Sequence, residues 1–298
     1  ILRNNGTEEQ KQKLYAEVLK GARFGNALAE FKTKTAAQRQ TAIRKTAQGY
    51  VINGEKFYCT GSLFAQRIPT LVVDENEQQF LAFVPRDSEG LTLIDDWSGF
   101  GQRTTGSGTV KFDNVHVLAE DVVRFDTVYS RPTISGPFAQ LLHASIETGI
   151  ARAAFEETLN RVRQARPWID SGVDKATDDP LTKLELGRVV ADVRASEVLL
   201  KQAARSVDTA KANPTETSVA RASLDVAKAR AHSSETALRA SSKLIELAGS
   251  RGSQREDGLD RFWRNARVHT LHDASRWKYY FIANYLLNGV LPPHRGTL

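Results

Sequence analysis

The 298 residues are 41% hydrophobic and 26% charged with a formal net charge of +6, an ordinary balance for a chain able to bury one large or two medium cores. No apolar run approaches the ~18 residues of a membrane helix, and the basic residues are scattered rather than gathered into a nucleic-acid arm, so neither partner is expected. The single Cys59 excludes an intramolecular disulfide and suits a reducing, cytoplasmic setting.

In chain order, Thr7-Glu-Glu-Gln10 spells a capping box and Gly21 a stop, predicting a helix over 8–20. From Arg23 to about Arg124 the pattern becomes strands and turns. Gln48-Gly49 and Asn53-Gly54 are hairpin signals, and Leu71–Val84 reads as a hairpin around an acidic turn. Leu91–Ile94 and Thr109–Phe112 add two strands, and the set predicts a compact antiparallel β-barrel or sandwich. The remainder has helical periodicity: Pro137–Arg166, Pro180–Ala212 after a long Pro-, Gly- and Asp-rich joint, Glu216–Ala248 after the Asn213-Pro214 break, and 260–287. Long helices with short joints predict a four-helix bundle. The joint over 166–179 is a candidate lid. The expected division is 1–21, 22–130 and 131–298.

The last helix holds the densest group of chemistry-bearing residues, Asp260-Arg-Phe-Trp-Arg-Asn-Ala-Arg-Val-His-Thr-Leu-His-Asp273. Asp257 and Asp260 are candidate N-caps, and no Gly or Pro interrupts the run before Gly289. One uninterrupted helix would put His269 and Asp273 on one face with His272 beside them, while Trp263 and Leu271 could face a core. A plain helix using these side chains for inter-helix or inter-subunit bonds is the alternative. No His/Cys spacing for a metal and no Gly-x-Ser-x-Gly elbow is found, and His116, His143, His232 and His294 read as isolated structural residues.

Arg264-Asn-Ala-Arg-Val-His-Thr-Leu-His-Asp273 resembles the catalytic helix of the acyl-CoA dehydrogenase superfamily, in the His-Thr/Ser-Leu-His-Asp form of its flavin-dependent monooxygenase branch. The order helix, strands, helices resembles the same superfamily. The implied fold is α+β: a truncated N-terminal helical domain, a middle antiparallel β-barrel and a C-terminal four-helix bundle. Lys56-Phe-Tyr-Cys-Thr-Gly61 resembles the segment whose hydroxyl faces flavin N5, which assigns that position to Thr60. Gly25-Asn-Ala-Leu-Ala-Glu30 resembles the strand along the flavin pyrimidine and points to Asn26. Trp97 falls in the segment flanking the ring, Arg251 in a Gly-x-Arg turn suited to a terminal phosphate, and Arg166 in a looser match to an Arg-x-x-Phe element.

The resemblance implies a two-component monooxygenase in which a separate reductase supplies reduced FMN. Oxygen would add at C4a, and a small, organosulfur substrate would be oxygenated with His272 and His269 handling the proton. It also implies a homotetramer, or at least a dimer. Two readings stand beside it: an FAD-dependent acyl-CoA dehydrogenase or nitroalkane-oxidase-like enzyme with Asp273 as base, and a flavin-free scaffold.

Overall fold

The computed structural model describes residues 1–31 and 39–297, so the part of the strand region over 32–38 lies outside the described residues. The chain divides into two compact units, Ile1–Gly99 with Arg103–Arg131, and Phe100–Gln102 with Pro132–Leu298.

The first unit opens with two helices, α1 (Leu2–Asn5) and α2 (Glu8–Leu19). The capping box forms as the sequence predicts: Gln10 N–H donates to Thr7 Oγ1 at 3.2 Å and Thr7 N–H to Gln10 Oε1 at 2.9 Å. Arg67 ties α2 to the sheet, pairing with Glu17 at 2.6 Å and Asp121 at 3.0 Å.

Among the described residues seven strands follow: β1 (Ala42–Thr46), β2 (Gly49–Lys56), β3 (Arg67–Val73), β4 (Gln79–Pro85), β5 (Leu91–Ile94), β6 (Thr109–Val117) and β7 (Val122–Arg124). They form one sheet in the order β5-β6-β2-β1-β3-β4-β7. Two expectations are corrected here. The sheet is open rather than a closed barrel, since no pairing joins β5 to β7 among the described residues. It is also mixed rather than purely antiparallel, because β1 meets β3 in parallel at Ala42 and Val73.

The Asn53-Gly54 signal is a third difference. It makes a bulge inside β2, where the register against β6 shifts between Ile52 and Gly54, while the hairpin turn lies at Ala47-Gln48. Gly54 has φ +145°, and a Cβ there would sit 2.7 Å from Thr41 Cα, so the glycine serves close approach. The core is the inward set Ile43, Ile52, Ile68, Val72, Val84, Val110 and Phe112.

The second unit is helical: α3 (Ser135–Gln164), α4 (Pro180–Ala212), α5 (Glu216–Leu247), α6 (Asp260–His269) and α7 (Ser275–Asn288). Asp179 caps α4 with Pro180 at its first position, and a Thr215/Ser218 capping box opens α5. α5 packs on α3, α4, α6 and α7. Its buried face is mostly Ala and Ser, including Ala222, Ala227, Ala231, Ser233 and Ala237, and these short side chains let its neighbours approach closely.

The expected helix over 260–287 is broken. α6 stops at His269, Ala274 is extended at ψ 94°, and α7 starts at Ser275. Neither expected cap is used: Leu259 holds the N-cap position without a side-chain bond, Asp257 pairs with Arg161 at 2.9 Å, and Asp260 pairs with Arg264. No helix among the described residues is long and apolar enough to cross a membrane.

Candidate active site

The break between α6 and α7 builds the site. Backbone bonds from Leu271 N–H to Val268 O and from His272 N–H to His269 O tighten the last turn, and Thr270 Oγ1 donates to Arg267 O at 3.0 Å. These local bonds compete with continued α-helix without any Gly or Pro. The chain then turns so that Asp273 is nearly buried while the His272 ring stays 56% exposed.

One face of α3 completes the arrangement with Gln140, His143 and Glu147. Gln140 Nε2 donates to Asp273 Oδ2 at 2.9 Å, and His272 Nδ1 lies 3.1 Å from that same oxygen. His143 Nδ1 is 3.2 Å from His269 Nε2, and its ring lies over His272 with centroids 4.0 Å apart. His269 Nδ1 is 3.1 Å from Glu147 Oε1. Glu147 is fully buried with Arg230 as its ion-pair partner, and Ser234 Oγ donates to Oε2 at 2.7 Å.

Electrostatics separate these groups. Burial, followed by the neighbouring His272 and Arg230, pushes His143 down to about 3, which keeps it neutral. Burial alone would raise the Asp273 carboxyl, but His272, Gln140 and Lys278 outweigh it and hold it well below the usual carboxylate range. For Glu147 burial likewise opposes ionisation, and His269, Arg230 and Ser234 together prevail. Burial draws Lys278 down to about 8.

His143 is therefore not the isolated structural residue its sequence context suggests. His143 and Glu147 are four apart on one helix, which is the signal that could have found them. Trp263 and Leu271 do not face a core: Trp263 stacks on Phe100 with centroids 6.2 Å apart, and Leu271 is 64% exposed. Arg264 donates to Phe100 O at 2.9 Å and Asn265 Oδ1 accepts from Gln102 N–H at 2.7 Å, holding the Phe100–Gln102 loop.

In the first unit, Asn26, Thr60 and Trp97 share one neighbourhood. The segment from Phe24 to Ala29 runs beside β3 through bridges at Arg67 and Thr70. Asn26 O accepts from Ser62 Oγ at 2.9 Å, and Gly25 lies against Gly61 and Ser62. Thr60 is exposed, its Oγ1 2.8 Å from Ser107 Oγ. Trp97 meets Tyr58 edge-on at 5.4 Å. Tyr58 holds φ +52°, a costly conformation for a non-glycine residue, and it presents a half-exposed ring. Cys59 is buried with its thiol pushed up to about 12, so it packs and does not react.

The two arginines belong to the helical unit. Arg251 is exposed in the turn Gly249–Ser253, and Arg166 is exposed just beyond α3. The joint that follows Arg166 carries a short turn, Ile169–Ser171, with Trp168 and Ile169 exposed.

The family model for the acyl-CoA dehydrogenase C-terminal domain matches residues 141–277. Dibenzothiophene monooxygenase of Rhodococcus qingshengii is 31% identical over 304 residues, covering 96% of this chain and 73% of that protein. The chain belongs to the acyl-CoA dehydrogenase superfamily, in its flavin-dependent monooxygenase branch. A probable FMNH2-dependent monooxygenase, SfnC of Pseudomonas putida, is 28% identical over 90% of this chain and 69% of its own length. The crystal structure of FMN-bound TdsC from a Paenibacillus species superposes with a TM-score of 0.92 at 29% identity, covering 98% of this chain and 78% of that one.

Proposed function

We propose that the protein is a two-component monooxygenase that takes reduced FMN from a separate flavin reductase and oxygenates a small organosulfur compound with O2. The single observation that carries the reading is the imidazole cluster of His143, His269 and His272 on a buried carboxylate, in a chain of the monooxygenase branch. The relatives' names supply the sulfur substrate class and the reduced cofactor.

The residues present fit an isoalloxazine. Thr60, in the turn after β2, would offer an exposed hydroxyl to N5, Asn26 would lie along the pyrimidine, and Trp97 with Tyr58 would offer aromatic surface. Arg251 and Arg166 are exposed guanidinium groups of the kind that pair with a phosphate dianion. Bound reduced FMN supplies the electrons that activate O2.

The protein's own work is proton handling. Asp273 accepts from His272 Nδ1–H and orients the ring, leaving Nε2 as the atom that carries or releases a proton. His269, anchored on Glu147, fixes the ring arrangement beside it.

Asp273 as a base for α-proton abstraction is disfavoured by the same geometry. A carboxylate that already accepts from Gln140 and His272, held well below its usual range, is a weak base. With flavin reduced chemically, His272→Ala should therefore cut product by roughly 10²–10⁴ and release hydrogen peroxide instead, while Asp273→Ala should be milder. Full oxygenation by His272→Ala would remove the proposed role. We also propose a homotetrameric or dimeric working form, in which Arg251, exposed in an inter-helix turn, serves the cofactor of a neighbouring subunit. A monomer by light scattering across the micromolar range refutes it.

A further inference from the structure

We propose that His143, His272 and Asp273 form a site for one borderline divalent metal ion of the Zn²⁺ class, and that occupancy withdraws His272 from proton transfer. The first half stands on the geometry alone, and the second rests on the monooxygenase reading.

One ligating atom from each residue lies within 4.8 Å of the other two. Tetrahedral bonds of ~2.1 Å need ligand atoms roughly 3.4 Å apart, so the widest pair must close by at most about 1.4 Å. His272 can supply that movement, because its ring is 56% exposed and sits in the short link between α6 and α7.

The lone pairs are set by what surrounds them. Glu147 pairs with Arg230, and His269 sets Nδ1 against its Oε1 at 3.1 Å, so Nδ1–H donates to the carboxylate and Nε2 faces His143. That nitrogen must accept from His143 Nδ1–H, which leaves His143 Nε2 bare. His272 Nδ1 already faces Asp273 Oδ2 at 3.1 Å, and an ion entering there takes the place of the shared proton, so that His272 ligates through Nδ1 with its proton moved to Nε2 and Asp273 ligates through Oδ2. Gln140 Nε2 donates to the same oxygen and fixes the carboxylate in place.

A ligating histidine whose other nitrogen is fixed through a chain ending on a carboxylate is the outer-shell arrangement that metal sites use. Two imidazoles and one carboxylate suit Zn²⁺ or Co²⁺ and not Mg²⁺, which demands oxygen donors. The Lys278 ammonium, which acts on Asp273, opposes a cation, so affinity should fall below that of a structural zinc site.

The test uses tag-free full chain, stripped with chelator and without flavin, titrated with Co²⁺. One equivalent should produce visible d–d absorption, and Zn²⁺ should displace it. His143→Phe and Asp273→Asn should each abolish the band while keeping the wild-type circular dichroism. No band at one equivalent, or an unchanged band in folded His143→Phe, overturns the site. In turnover, Zn²⁺ should inhibit the wild type at the concentration that fills the site, and chelator should restore the rate. Binding without inhibition would leave the metal site standing and overturn the claim about His272.

Discussion

Removing the Glu147 carboxylate should be among the most damaging single changes in the helical unit. Glu147 and Arg230 are both fully buried, and Arg230 Nε and Nη2 already lack partners among the described residues. In Glu147→Ala the guanidinium would face an apolar interior with only Ser234 Oγ at 3.3 Å. His269 would also lose the acceptor for its Nδ1–H. Breaking a buried pair by deleting one partner costs about 3–5 kcal/mol, a large part of the 5–15 kcal/mol typical of a whole domain. At roughly 2–4 °C per kcal/mol for a unit of this size, the midpoint should fall by about 6–20 °C. The assay is thermal and urea unfolding followed by far-ultraviolet circular dichroism, with the double variant Glu147→Leu/Arg230→Met alongside. That double variant leaves no charge stranded and should recover most of the loss. Glu147→Ala within 1 kcal/mol of wild type, or a double variant no better than the single one, would refute the reasoning.

In the first unit, Lys56 and Glu30 form a second buried pair, and burial draws Lys56 down to about 8 despite its partner. A base whose folded pKa lies below its unfolded value of 10.5 is penalised while charged. The unfolded chain binds the extra proton between about 8 and 10.5, so this group should add stability as pH rises through that window, by about 3 kcal/mol in all. Lys56→Met should flatten that part of the profile in chemical denaturation. Arg251→Ala should weaken FMN binding by about tenfold or more while leaving riboflavin binding unchanged, read by flavin fluorescence, because only FMN carries the phosphate. Equal loss for both flavins would take Arg251 off the phosphate. Gly54→Val should cost a few kcal/mol in thermal unfolding, since φ +145° and the contact with Thr41 both forbid a side chain.

Local patterns carry far in this chain. The capping boxes at Thr7 and Thr215, the Pro180 start of α4 and the acidic hairpin between β3 and β4 are written in residues that act on their immediate neighbours. So is the motif ending in His272 and Asp273, whose resemblance indicated superfamily and branch. Sheet closure was not legible, because the parallel contact of β1 with β3 and the open ends at β5 and β7 depend on how distant strands pack. Nor was the use of Asn53-Gly54, since a φ-permissive glycine serves a bulge as readily as a turn, and only the neighbouring Thr41 decides between them. The same holds at the site. Sequence spacing placed His269, His272 and Asp273 on one continuous helix. The tertiary structure broke that helix after His269, brought in Gln140, His143 and Glu147 from α3 more than a hundred residues away, and paired Glu147 with Arg230. Short-range hydrogen bonds and backbone preferences are fixed by nearby residues. Which imidazole meets which carboxylate is fixed by the packing of α3 and α6 against α5, and that exists only in the folded chain.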